Sequence, residues 1–212
     1  MTGGDDLASA SFRQLPEERR EAILKAARTE FASKGLALAS TNAIVLACGI
    51  AKGSLFNYFD GKDGLFLYLH WLSGKRQLAA LREMSASDGA PATAMDGLVR
   101  AVELSFDLFA DAPDEFAFAM TLAGADAAHL VPRYVALFDA AESAALFRAV
   151  VTPPGTDAAV AQALQWMLTG IKMEIQAGLQ PAADTASRAE ALRGLRSSIL
   201  GRLELVRGVI KE

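Results

Sequence analysis

Four residues in the first third of the sequence share one face of a short predicted helix and could together contact nucleic acid. Lys52, Gly53, Phe56 and Asn57 stand at i, i+1, i+4 and i+5 of a helix predicted over residues 52–59. Lysine can bind a phosphate or a guanine edge, asparagine can pair with a base edge, and phenylalanine can contact a thymine methyl group. Glycine lets the backbone approach a partner closely. A solvated helix has little reason to expose this phenylalanine, so the face predicts a DNA-reading surface.

A pair of short helices must position this face. Ser40 is a good N-cap for a helix over residues 41–48, and Gly49 ends that helix. The second helix follows after a three-residue turn, which is typical of a helix-turn-helix. The residues whose spacing closes one core beneath the pair are Ile44, Cys48, Ile50, Leu55 and Phe59.

The composition predicts an all-α protein, because 42 Ala and 28 Leu far outnumber the 17 Val and Ile. No apolar stretch is long enough to span a membrane. The N-terminus carries two acids and no apolar core of a signal peptide, so we expect a cytoplasmic protein. A single cysteine, Cys48, excludes an intrachain disulfide and a cysteine-based zinc cluster, and we expect no metal site and no cofactor.

Periodicity and turn signals divide the chain into three parts. Residues 1–15 are predicted to be a disordered tail, residues 16–62 the helix-turn-helix domain, and residues 63–212 a second helical domain. The first domain opens with a helix over residues 17–34 that ends at Gly35. The later helices are predicted at residues 62–84, 92–110, 113–123, 131–150, 157–178 and 185–209.

The charge is unevenly distributed. Residues 1–63 carry 8 basic and 8 acidic side chains, residues 64–185 carry 7 and 14, and residues 186–212 carry 6 and 3. The candidate DNA-binding part is therefore neutral, although DNA-binding domains are usually basic. We expect its affinity for DNA to depend on a few placed contacts and on dimerisation.

The run TNAIVLACGIAKGSLFNYFDGKDGLF, residues 41–66, resembles the N-terminal DNA-binding domain of the TetR-like (TetR/AcrR) bacterial transcription regulators. With the preceding helix, which ends in FASKG, the match covers about residues 17–70. Ala51 and Ala43 depart from the pattern where the family commonly has a capping Ser or Thr and an acidic residue. The matching positions are Gly53, Ser54, Leu55, Phe56, Tyr58, Phe59 and Lys62.

The resemblance implies a ligand-responsive repressor that binds a palindromic operator in double-stranded DNA as a homodimer. It implies that Lys52, Gly53, Phe56 and Asn57 read bases. It further implies an effector-binding second domain whose last two helices form the dimer interface. The residues that it assigns to phosphates are Ser40 or Thr41, Ser54, Tyr58 and Lys62.

The last two predicted helices support a dimer without reference to the family. Each carries an apolar stripe beside small residues spaced by seven, as close helix packing requires. The alternative is that these small faces pack inside one subunit. The predicted interface consists of Leu164, Gly170, Ile171, Gly194, Ile199, Gly201, Leu203 and Gly208.

Aromatic and sulfur-containing residues at helical spacing could line a pocket for a small, largely apolar effector, although any one of them is more often core. The candidate lining residues are His70, Trp71, Phe106, Phe109, Tyr134, Phe138, Trp166, Met167 and Gly170. No sequence motif of a known catalytic site is present, so we do not expect an enzyme. The alternative is a helical small-molecule carrier, or an enzyme, with a vestigial helix-turn-helix.

Overall fold

The computed structural model describes residues 3–87, 89–179, 182 and 184–210. Within these residues the regular structure is helical, apart from one isolated antiparallel bridge between Ala8 and Phe59. The predicted all-α fold is confirmed. Among the described helices, none is both long and apolar enough to cross a membrane.

The helices follow one another with short connections. Three 3₁₀ segments lie at Asp5–Leu7, Thr121–Ala123 and Ala125–Leu130. In chain order the α-helices are α1 (Ala10–Arg13), α2 (Glu17–Leu38), α3 (Thr41–Cys48), α4 (Lys52–Tyr58), α5 (Gly61–Ser87), α6 (Ala94–Asp107), α7 (Pro113–Met120), α8 (Val131–Val135), α9 (Ala140–Val151), α10 (Ala158–Leu179) and α11 (Thr185–Ile210).

Two predictions about these elements are wrong. Of the predicted disordered tail, the described residues form a 3₁₀ turn and α1, and the Phe12 side chain is completely buried. The helix predicted over residues 131–150 is interrupted at residues 136–139, where Leu137 and Phe138 donate to carbonyls three residues back, as in a turn. Gly35, by contrast, has a φ of 69° and a ψ of −179°, so the regular helix that begins at Glu17 stops there as predicted, and α2 continues beyond this kink to Leu38.

The chain folds as two compact units whose boundaries differ from those predicted. One unit comprises Met1–Lys75 with Asp114–Asp139, and the other comprises Arg76–Pro113 with Ala140–Glu212. The core of the first unit contains side chains of α2 to α5 together with Phe118, Ala127 and Leu130. The helix-turn-helix therefore shares its core with residues that follow it by more than fifty positions.

In the second unit, α6 packs against α9, α10 and α11. Gly97 of α6 lies so close to the Val151 carbonyl that a Cβ there would be 1.8 Å from its oxygen. Arg207 of α11 pairs with Asp96 at 2.6 Å, and Arg196 pairs with Asp107. The basic surplus near the C-terminus thus finds acidic partners within its own unit.

Candidate nucleic-acid interface

The four residues predicted to read bases all lie on the surface of α4. Lys52, Gly53 and Asn57 are exposed, and the Phe56 side chain is 50% exposed although it is aromatic. Their spacing along seven helical residues places them on one side. This surface, defined by Lys52, Gly53, Phe56 and Asn57, is called the α4 face below.

The opposite side of α4 holds it on the rest of the helix-turn-helix. Leu55 and Phe59 are buried with Ile44 and Cys48 of α3, as their spacing predicts. Gly49 adopts a φ of 66°, which lets the Ile50 amide donate to the Val45 carbonyl at 3.1 Å and turn the chain. Burial raises the pKa of the Cys48 thiol, so it packs as a neutral group.

The residues assigned to phosphates lie at the ends of α3 and α4. The Ser40 hydroxyl accepts a hydrogen bond from the Ala43 amide at 3.3 Å and so caps α3, with Thr41 partly exposed beside it. Ser54 lies in the first turn of α4 and is also partly exposed. Tyr58 closes α4, with its ring centroid 5.7 Å from that of Phe12. All four keep some surface through which they could contact a phosphate.

Lys62, the fifth assigned phosphate ligand, already has partners within the protein. Its ammonium donates to the Ala37 carbonyl at 3.0 Å and to the Ala39 carbonyl at 3.3 Å. These are carbonyls at the C-terminal end of α2, where a cation stabilises the helix dipole. Lys62 therefore joins α5 to the end of α2, and this role was not predicted.

Gly53 lies on open surface. A Cβ built on it would have no heavy atom within 4 Å, and its φ is not positive. Neither internal packing nor backbone conformation therefore requires glycine at this position in the first turn of α4. The open surface leaves room for another molecule to approach the backbone of α4.

Acidic side chains lie beside the α4 face. A cleft of about 310 Å³ at the end of α4 is lined by Phe56, Asn57, Asp6, Asp60 and Arg133, among others. Further along, Asp63 is 3.4 Å from the ring nitrogen of His129. These three carboxylates are among the eight that balance the basic side chains of residues 1–63, and they oppose indiscriminate binding to phosphates.

Sequence reasoning missed one exposed apolar residue in the helix-turn-helix. The side chain of Leu46 on α3 is 84% exposed. The signal was present in the spacing, because Leu46 lies two positions from both Ile44 and Cys48 and so off their buried side.

The predicted effector-lining residues do not form one group. His70, Trp71, Tyr134 and Phe138 lie in the first unit, whereas Phe106 and Phe109 are buried in the second. The remaining three, all on α10, lie on the surface: Trp166 is 70% exposed, Met167 is exposed, and Gly170 has no neighbour within 4 Å of a built Cβ. Placing these three in a pocket lining is therefore wrong for this unit.

His70 and Tyr134 belong to a buried aromatic cluster in the first unit. The His70 ring stacks on Phe118 at 4.1 Å between ring centroids. The Thr121 hydroxyl donates to the Phe118 carbonyl at 2.7 Å, so it can accept from Nε2 of His70 at 3.3 Å. Burial lowers the pKa of His70 to about 3 and raises that of Tyr134 to about 12, so both are neutral near pH 7.

The predicted dimer residues separate into two sets. Leu164, Ile199 and Leu203 are buried in the core of their own unit, so assigning them to an interface is wrong, and Ile171 is partly buried. The apolar stripe faces inward because α10 and α11 pack on α6. The small residues lie on the outside: Gly170, Gly194, Gly201 and Gly208 each have open space where a Cβ would be.

Residues 23–69 match the family described as bacterial regulatory proteins of the tetR family. The chain is also similar to solved structures along most of its length. A TetR family transcriptional regulator from Chloroflexus aurantiacus J-10-fl matches with a TM-score of 0.60 and 21% identity, over 96% of either chain. A putative transcriptional regulator from Pseudomonas aeruginosa PAO1 matches with a TM-score of 0.53 and 20% identity, over 91% of this chain and 95% of the other. These likenesses show a shared fold.

Proposed function

We propose that this chain, which belongs to the tetR family of bacterial regulatory proteins through residues 23–69, binds a palindromic DNA operator as a homodimer and is released by a small, largely apolar effector. Membership of the family makes the chain a DNA-binding transcription regulator. The observation that carries the proposal is the α4 face on the helix-turn-helix. It brings together a lysine, a half-exposed phenylalanine, an asparagine and a glycine that the packing of the subunit does not require.

Each residue of this face has a task in a major groove. Lys52 and Asn57 offer hydrogen bonds to base edges or phosphates, and Phe56 offers apolar contact to a thymine methyl group. Ser40, Thr41, Ser54 and Tyr58 would hold the surrounding phosphates and so fix the register. Specificity then rests on few contacts, which suits a domain without net positive charge.

The homodimer is supported by the outer surface of α10 and α11. The four open glycines lie on the same two helices as exposed apolar side chains, namely Trp166, Met173 and Leu205. Glycines at these helical positions cost stability that nothing inside the subunit offsets, whereas a second copy could pack closely against them. A two-fold dimer would present two α4 faces to successive major grooves, roughly 34–36 Å apart.

The proposed effector would bind at the aromatic cluster in the first unit, where four of the predicted lining residues lie, and would have to displace side chains there. A Cβ on Gly74 would lie 2.5 Å from the Phe138 ring and 2.7 Å from the Tyr134 hydroxyl, so these side chains close over α5. His70 beside them is neutral, which suits an uncharged, apolar molecule. Any effector that releases DNA must bind the DNA-free state more tightly than the DNA-bound state.

A gel shift with the DNA flanking the gene, followed by fluorescence anisotropy at stated salt, tests the proposal. We expect Lys52→Ala combined with Asn57→Ala to lower operator affinity at least a hundredfold, since each lost base contact contributes about 1–3 kcal/mol. Lys25→Ala on the exposed surface of α2 is the charge-matched control for the lysine and should bind nearly as wild type. Unchanged binding by the double variant would contradict the proposal, as would equal affinity for a half-site and the full palindrome.

A further inference from the structure

The DNA-reading helix has weak support of its own. α4 has only seven residues, and its N-cap, Ala51, makes no side-chain hydrogen bond. Helices this short are unstable unless other parts of the protein hold them. A missing N-cap also lowers the stability of the helix. The packing of Leu55 and Phe59, together with contacts at the end of α4, must therefore fix the orientation of the α4 face.

Residues 3–15, called the N-terminal strap below, hold the far end of α4 through the backbone. The Ser9 amide donates to the Tyr58 carbonyl at 2.9 Å, and Ala8 forms an antiparallel bridge with Phe59. The Tyr58 carbonyl lies in the last turn of α4, where carbonyls lack partners within the helix. The strap thus supplies at the C-terminal end the support that Ala51 does not supply at the start.

The strap is also anchored by a side chain. Phe12 is completely buried, with its ring centroid 4.6 Å from that of Phe59 and 5.7 Å from those of Tyr58 and Tyr68. Burial of a whole phenylalanine side chain is a large stabilising contribution for so short a segment. The strap therefore packs against the two residues that end α4 and against α5.

Two arginine side chains hold the strap in one shape by donating hydrogen bonds to its backbone carbonyls. The Arg13 guanidinium donates to the Asp5 carbonyl at 2.6 Å and to the Ala8 carbonyl at 2.5 Å. Arg20 of α2 donates to the carbonyls of Arg13 and Leu15 at 3.0 and 2.9 Å. At the beginning of the strap, Gly4 lies so close to Trp71 that a Cβ on Gly4 would be 2.2 Å from the indole nitrogen.

We infer that the N-terminal strap is a positioning segment for DNA binding, which fixes the end of α4 and thereby the orientation of the α4 face. The inference rests on the proposed function. The strap lies outside residues 23–69, so the family match does not include it. None of its residues needs to touch DNA for the strap to act, because the contacts run through Tyr58 and Phe59.

Ser9 allows a sharp test, because its φ of −64° and the extended conformation of Ala8 both suit a proline at position 9. Ser9→Pro removes the amide that donates to Tyr58 and also the hydroxyl that caps α1. Ser9→Ala removes only the hydroxyl and is the matched control. Hydrogen exchange of the last-turn amides of α4 and operator affinity are measured for both variants, with exchange in α10 and α11 as the control for folding.

We expect Ser9→Pro to accelerate exchange in α4 at least fivefold relative to Ser9→Ala, and to weaken operator binding by a similar factor. A second pair acts at the other end of the strap: Gly4→Val should displace it from Trp71, whereas Gly3→Val meets open space. The inference is wrong if Ser9→Pro and Ser9→Ala give equal exchange in α4 and equal operator affinity, and Gly4→Val and Gly3→Val also give equal values. If α4 responds in exchange while the wild type binds no DNA, the strap holds α4 and the proposed function fails.

Discussion

Gly53 is the residue at which folding and function should conflict most clearly. We expect Gly53→Ala to raise the free energy of unfolding by about 0.5–1 kcal/mol, since the helix gains propensity and the Cβ meets no neighbour. The same methyl group should lower operator affinity at least tenfold if DNA approaches the backbone there.

Urea unfolding and fluorescence anisotropy measure the two quantities. Thr29→Ala, at an exposed position of α2, offers a comparable gain in helix propensity away from the α4 face and should leave operator affinity unchanged. Equal operator affinity of Gly53→Ala and wild type would show that the backbone of α4 is not approached.

His70 should make stability depend on pH in a defined direction. The unfolded chain binds a proton at this residue near pH 6.5, but the folded chain does so only near pH 3, so acid favours unfolding. Between pH 7.5 and 5.5 the residue should lower the free energy of unfolding by about 1.4 kcal/mol.

Urea denaturation of wild type and His70→Gln at both pH values isolates this contribution, because His129 and the carboxylates are present in both proteins. Between pH 7.5 and 5.5 we expect the free energy of unfolding of His70→Gln to fall by about 1.4 kcal/mol less than that of wild type. The same loss in both would mean that His70 is protonated in the folded protein.

At the scale of the elements, Lys62 should stabilise the junction of α2 and α5. Lys62→Met keeps the aliphatic chain but leaves the Ala37 and Ala39 carbonyls without their cation. Because the site is partly exposed, we expect a loss of about 1 kcal/mol in the free energy of unfolding. Lys25→Met on the exposed surface of α2 is the control. If Lys62→Met weakens DNA binding but leaves stability at the level of the control, Lys62 is a phosphate ligand only.

The helices with strong local signals could be predicted from the sequence. α3 begins and ends at the predicted residues because the cap Ser40 and the terminating Gly49 act locally. The break at residues 136–139 and the 3₁₀ segment before α8 could not be predicted, because their surroundings are long-range. Asp126, for example, accepts a hydrogen bond from the Ala37 amide at 2.8 Å, across 89 positions of the chain.

The candidate site likewise has one part that local spacing predicts and another part that depends on long-range contacts. The exposure of the α4 face follows from spacing within two short helices, but the burial of Phe12 does not, since its partners lie some fifty positions away. On α10 and α11, spacing identifies an apolar stripe and a small-residue stripe without showing which one faces the core. Leu203 is buried and Gly201 is open because α6 occupies the side of the leucines.

At the scale of the whole molecule, the open glycines should determine the oligomeric state. We expect Gly201→Arg to leave the helical content unchanged, because its side chain meets open space within the subunit, and to convert the proposed dimer to a monomer by preventing close approach. Light scattering after size-exclusion chromatography at micromolar concentration measures the mass. Gly201→Ala, which adds one methyl group, should stay dimeric. If Gly201→Arg and Gly201→Ala both remain dimeric, the interface lies elsewhere on the protein.

The division of the first unit into two stretches of sequence has a consequence for synthesis on the ribosome. The whole helix-turn-helix leaves the exit tunnel early, but Phe118, Ala127 and Leu130, which complete its core, are made only after more than half of the chain. At about 5–20 residues per second, the nascent domain waits several seconds for them. A protein cut short after Lys75 would therefore contain the whole helix-turn-helix but lack these three core residues, and we expect it to be less stable than the complete chain.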